Sequence, residues 1–192
     1  MNNSEENSGI SPSKLRLSDN KDNTQCFLAI DYSKKHTKNS RWSKQSLAPE
    51  ILDISKNHND FGEIAPQLAN SSDFLMPPML IEHQSENCLT LNIYRPQLSA
   101  QPKVGTDTAL PVMVWIHGGD HQDGSGNGFP YETDVFCDEG AILVTINYRL
   151  GVMGFLCHPE LSLESSHGTS GNYGMLDQIA ALKWIQENIA AF

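Results

Sequence analysis

The sequence predicts an α/β layer fold, and three observations predict it. Two continuous apolar, β-branched runs lie in PVMVWIHGG and AILVTINY, a strand-like alternation lies in LTLNIY, and a long helical stripe closes the 192 residues. With 39% hydrophobic residues the chain can bury one good core, so one domain or part of a larger one is expected.

In LTLNIY, Leu89, Leu91 and Ile93 alternate with Thr90, Asn92 and Tyr94, the period of a strand with two unlike faces. A polar turn with Pro102, Gly105 and Asp107 follows. The runs at 112–116 and 141–148 are apolar on both faces, which predicts interior strands covered on both sides. In the last segment Met175, Ile179, Leu182, Ile185, Ile189 and Phe192 recur at spacings of 4, 3, 3, 4 and 3, so one helical stripe is expected to face a core. No Gly or Pro follows to stop this helix, and the chain therefore reads as cut.

Upstream the pattern is weaker. Residues 1–23 are rich in Asn, Ser, Asp and Glu and read as a disordered polar tail, leaving 24–192 as the folded part. Between Cys26 and Leu80 come the short apolar piece CFLAI, a basic stretch from Lys34 to Lys44, and Pro49, Pro66, Pro77 and Pro78, which favour loops and short strands.

The net charge of −10 argues against nucleic acid and anionic membrane as partners, since phosphate binding needs clustered Lys and Arg. The first 20 residues hold no apolar stretch like a secretory leader, and no run of about 18 apolar residues would span a bilayer, so a cytoplasmic location is the expectation. Cys26, Cys88, Cys137 and Cys157 form no C-x-x-C pair, which points to reduced thiols.

SENCLTLNIYRP, VMVWIHGG, ILVTINYRLGVMGFL and GNYGMLDQIAALKWIQENIAAF resemble, in order and spacing, consecutive blocks of type B carboxylesterases and cholinesterases. FLAIDY followed by Arg41 and Trp42 is a weaker upstream likeness. The resemblance covers about residues 25–192, and it implies the N-terminal strands of an incomplete α/β-hydrolase fold plus the helix that precedes the nucleophile strand. In that family a G-G-D-P turn and a G-E-S-A-G nucleophile elbow come next, and the acid and histidine come later still. Independently, the 192 residues contain no G-x-S-x-G; Ser170 and Ser125, the serines nearest such a setting, have Asn172 after the one and Asp123 before the other. No triad member is therefore expected here.

The resemblance places the oxyanion loop at His117, Gly118, Gly119 and Asp120. The amides of Gly119 and Asp120 would donate to a developing oxyanion, with Gly118 shaping the turn. Asp120 and His121 depart from the family's Gly or Ala followed by an aromatic residue, and a carboxylate beside an oxyanion opposes its charge. Asp120, Asp123 and Asn127 do not have calcium-loop spacing, and a glycine loop is a poor platform for zinc on His117, Asp120 and His121, so neither a metal nor another cofactor is expected.

Other family positions read as structural. Arg41 and Glu86 match a salt-bridge pair, and Cys88 matches a disulfide position whose usual partner is here Ala65. Asp177 and Gln178 open the last helix, where a carboxylate suits the positive end of the dipole. Asn147, Tyr148, Arg149, Gly151, Gly154 and Phe155 read as scaffold, and Trp115 and Trp184 as core.

The function implied is an N-terminal fragment of a carboxylic ester hydrolase, inactive alone, whose complete form acts on a small-molecule carboxylic ester and whose triad comes from further chain or a C-terminal complementing chain. The alternative is a non-catalytic cholinesterase-like interaction module. Without later strands the strand at 141–148 is expected to lack a neighbour, and poor solubility or a molten state follows.

Overall fold

The computed structural model describes residues 23–34, 41–48, 60–68, 83–97, 109–128 and 134–192. The expected tail, save Asn23, lies outside them, as do the turn around Gly105 and the prolines at 49, 77 and 78. The elements are β1 (Thr24–Asp31), β2 (Thr90–Pro96), β3 (Val112–Ile116), α1 (Val135–Asp138), β4 (Ile142–Ile146), α2 (Gly151–Phe155), α3 (Pro159–Glu164) and α4 (Tyr173–Asn188), with a closing 3-10 turn at Ile189–Ala191. Among the described residues the strands make one sheet in the order β1-β2-β4-β3. β1–β2 and β2–β4 are antiparallel, and β3–β4 is parallel, with Val112 opposite Ile142 and Ile116 opposite Ile146. The result is a mixed four-stranded sheet with helices, the arrangement expected for the N-terminal strands of an α/β-hydrolase fold.

β4 is buried along its whole length, as its apolar run predicts. β3 is not. It occupies the sheet edge, and Val112, Met113, Trp115 and Ile116 are 37%, 47%, 44% and 39% exposed. The expectation of an interior β3 with a core Trp115 is corrected accordingly, as is the expectation that β4 lacks a neighbour: β4 sits between β2 and β3, and among the described residues β1 and β3 are the edge strands. An apolar run records that a strand is meant to be covered, not which element covers it.

β2 departs differently. Thr90 and Asn92, on what reads as its solvent face, are buried. Asn92 is fully inaccessible because its amide nitrogen donates to Gly126 O, Asn127 Oδ1 and Thr145 Oγ1 at 3.1, 3.2 and 3.1 Å, so a returning loop covers that face.

α4 has the predicted helical extent but turns another side inward. Asp177, Gln178, Ala180, Ala181, Trp184 and Ile185 are buried, whereas Met175, Ile179 and Leu182 are 41–46% exposed. Only the later part of the expected stripe, Ile185, Ile189 and Phe192, joins the core, against residues such as Phe27, Ile93 and Val144. The reason is electrostatic. Asp177 must reach Arg149 at the end of β4, and this fixes the rotation of the helix. Trp184, 1% exposed, packs as expected.

Candidate functional site

The chain leaves β3 through His117 and turns back at an exposed tip. His117 is 4% exposed, its ring stacked on that of Tyr148 at 4.4 Å between centroids. Tyr148 Oη donates to His117 O at 2.8 Å. His117 Nδ1 lies 2.8 Å from Gly118 O, which makes Nδ1 the protonated nitrogen; Nε2 is buried with no partner among the described residues. Burial lowers the His117 pKa; the Gly118 carbonyl and Asp123 raise it by less, and His121 adds the smallest lowering effect. The imidazole is held neutral.

At the tip, Gly119, Asp120 and His121 all have positive φ, at 104°, 52° and 60°. Gln122 N and Asp123 N donate to Gly119 O at 2.8 and 3.1 Å, closing the turn. A side chain on Gly119 would put its Cβ 2.0 Å from Asp123 O, so glycine is required on both counts. Among the described residues nothing accepts a hydrogen bond from the Gly119 or Asp120 amide. Both residues are exposed, so the two amide donors are available to a bound oxygen. His121 is anchored by stacking on Phe155 at 4.6 Å and by Gly151 N, which donates to His121 O at 2.7 Å.

The returning limb is gripped by buried amides. Asn147 Oδ1 accepts from Gly126 N at 2.8 Å, and Asn147 Nδ2 donates to Asn127 Oδ1 at 3.1 Å. Thr145 Oγ1 donates to Gly126 O at 2.6 Å, beside the donation from Asn92. Sequence reading placed Asn147 in the scaffold and did not single out Asn92 or Gln67. A polar residue inside an otherwise apolar strand was the signal available for Asn92.

Behind the loop, Arg149 and Asp177 form a buried ion pair, Nε to Oδ2 and Nη2 to Oδ1 both at 2.7 Å, with side chains 2% and 0% exposed. Arg149 also donates to Arg41 O and Ser43 O, at 2.5 and 3.0 Å. Asp177 therefore acts as the counter-ion of Arg149 rather than as a dipole partner of α4, correcting the sequence reading. Arg41 and Glu86 form a two-pronged ion pair, Nε to Oε2 at 2.7 Å with a second contact from Nη2 to Oε1. Glu86 raises the Arg41 pKa through that hydrogen bond and its charge. Cys88 is a buried free thiol whose pKa is pushed up to about 12, first by burial and then by the charge of Asp177.

No imidazole nitrogen is among the described hydrogen-bond partners of Ser170 or Ser125. Ser170 Oγ bonds the His158 backbone and Ser162 Oγ, while Ser125 Oγ bonds Asn147 and the Asn127 amide. Among the described residues, neither serine has a histidine side chain hydrogen-bonded to it as a base. Among the described residues no group of three or more His, Cys, Asp or Glu could hold a metal ion, and no helix is long and apolar enough to cross a membrane.

The profile of the Carboxylesterase family matches residues 10–192. Fumonisin B1 esterase of Sphingopyxis macrogoltabida is 49% identical over 108 residues, which is 56% of this chain and 19% of the relative. Para-nitrobenzyl esterase of Bacillus subtilis is 39% identical over 168 residues, 86% of this chain and 31% of the relative. A solved structure of PNB esterase superposes with a TM-score of 0.67 and 35% identity over 88% of this chain and 32% of that one. The chain thus spans a third or less of these relatives.

Proposed function

This chain belongs to the carboxylesterase family, and from that premise we propose that it is the oxyanion-loop part of a carboxylic ester hydrolase that turns over only with the Ser, acid and His of further polypeptide. The observation that carries the reading is the pair of amides at Gly119 and Asp120 without an acceptor among the described residues, presented on a glycine turn at the end of a sheet strand. In serine-ester chemistry a hydroxyl adds to the carbonyl, and the oxygen that becomes negative is held by such amides in a geometry set before reaction. The loop supplies those donors, and the absence of G-x-S-x-G from the 192 residues leaves it no nucleophile of the family type. The Asp120 carboxylate sits on the same residue as one donor, where it opposes the charge that forms.

The open β3 edge and the apolar side of α4 suit the missing portion. Both carry exposed hydrophobic side chains; a further parallel strand would pair with the β3 edge, and other parts of the added polypeptide would pack on α4. That portion is a complementing chain or a continuation of this one. The partner molecule is a small carboxylic ester; location in the cytoplasm is part of the same reading.

The test is complementation. Mixed with or joined to the remaining two thirds of para-nitrobenzyl esterase, the chain should hydrolyse a short-chain aryl ester, and alone it should give no turnover above buffer. In the complemented enzyme Asp120→Gly should raise kcat by about three- to tenfold by removing the opposing charge. Stoichiometric fluorophosphonate labelling of the pure chain at one hydroxyl would overturn the proposal, and stable assembly without turnover would favour a non-catalytic interaction module.

A further inference from the structure

The geometry points to Gln67 as a positioning residue for the oxyanion loop, acting through Gly124. This inference rests on the reading of 117–120 as that loop.

Gln67 lies in an irregular segment outside the sheet and far from the loop in sequence. Its carboxamide nevertheless engages both backbone polar groups of one loop residue: Gly124 N donates to Gln67 Oε1 at 2.9 Å, and Gln67 Nε2 donates to Gly124 O at 3.0 Å. The side chain is itself held, since Nε2 also donates to Ala65 O at 3.1 Å and its backbone N–H donates to Gln84 Oε1 at 2.8 Å. The carboxamide thus acts as a strand partner one residue long, donating and accepting as a neighbouring backbone would.

What Gln67 holds is the floor of the site. Gly124 has φ 119° and lies so close beneath the outgoing limb that a Cβ there would sit 2.2 Å from His117 Nδ1 and 2.6 Å from Gly118 O. Any displacement of Gly124 is therefore passed on to His117 and to the Gly118–Gly119 peptide, whose N–H is one proposed donor. The tip itself, from Gly118 to Gln122, is exposed and braced internally by the two bonds onto Gly119 O. Oxyanion donors misplaced by an ångström lose much of their value, so a brace on the floor matters to the amides above it.

The experiment is residue-resolved hydrogen exchange at low micromolar concentration on the chain, its Gln67→Ala variant and its near-isosteric Gln67→Glu variant. Glu keeps an acceptor for Gly124 N–H but turns an oxygen toward Gly124 O and Ala65 O. In both variants the Gln122 and Asp123 amides, which bond Gly119 and not Gln67, should exchange about tenfold faster, while β2 and β4 amides stay within about twofold. Loss of protection at Gly124 alone would overturn the inference, because Gln67 would then satisfy one amide and position nothing. Loosening spread equally over β2 and β4 would also overturn it, as would no change. Should the Ala variant not accumulate, the Glu variant gives the same reading. These outcomes do not depend on ester turnover, so failure here is distinct from failure of complementation.

Discussion

Three buried ionisable side chains set the energetics around the loop. Arg149 and Asp177 are dehydrated together, and removing one leaves the other charged without a counter-ion. Arg149→Ala should therefore cost about 3–5 kcal/mol of stability, read as a lower urea midpoint by tryptophan fluorescence. Lys should restore little, since one ammonium cannot replace the donors that reach Asp177, Arg41 and Ser43 at once. His117 acts through pH. Its folded pKa lies below the ordinary histidine value, so the unfolded chain binds more protons as pH falls below about 6.5, and stability drops in that direction by up to about 1.4 kcal/mol per pH unit. His117→Asn keeps a donor near Gly118 O and cannot titrate. Urea midpoints between pH 7.5 and 5.5 should slope downward in the native chain and flatten in the variant by this contribution. Individual residues were unevenly legible in the sequence. His117 to Asp120 stood out through the family resemblance, at glycines that directly follow an apolar strand. Gln67 gave none, since it lies 57 residues before the Gly124 it engages and a carboxamide has no periodicity.

At the scale of elements, strand and helix existence was legible and facing was not. The runs of β3 and β4 are nearly alike in composition, yet β4 is buried throughout and β3 lies at the edge, because periodicity reports the environment a strand suits rather than its place in the order. Likewise the stripe of α4 has helical spacing, but the Arg149–Asp177 pair sets its rotation and leaves Met175, Ile179 and Leu182 outside. Facing that depends on a distant charge cannot be read from local spacing. Trp115 and Leu182, at 44% and 43% exposure, are then surface residues of the described structure. Trp115→Lys with Leu182→Glu should increase the soluble yield of the isolated chain several-fold, because charges on an apolar edge block strand addition and patch association. The measurement is monomer recovered by size exclusion. Equal recovery of parent and variant would mean that this face does not drive association.

At the scale of the molecule, the same face is what a completing polypeptide has to cover. The sheet has its interior in β2 and β4 and, among the described residues, an apolar edge strand in β3 whose side chains are partly exposed. An apolar dye such as anilinonaphthalene sulfonate should bind the isolated chain there. Addition of the remaining two thirds of para-nitrobenzyl esterase should suppress that fluorescence and bring new exchange protection to 112–116, with little change in β4, which is already enclosed. A completing strand that adds parallel to β3 takes up backbone N–H and C=O groups on its free edge, whereas a protein that merely coats the apolar side chains quenches dye binding without protecting those amides. Protection at β3 together with dye loss therefore identifies completion of the sheet, and dye loss alone would refute strand addition as the mode of assembly.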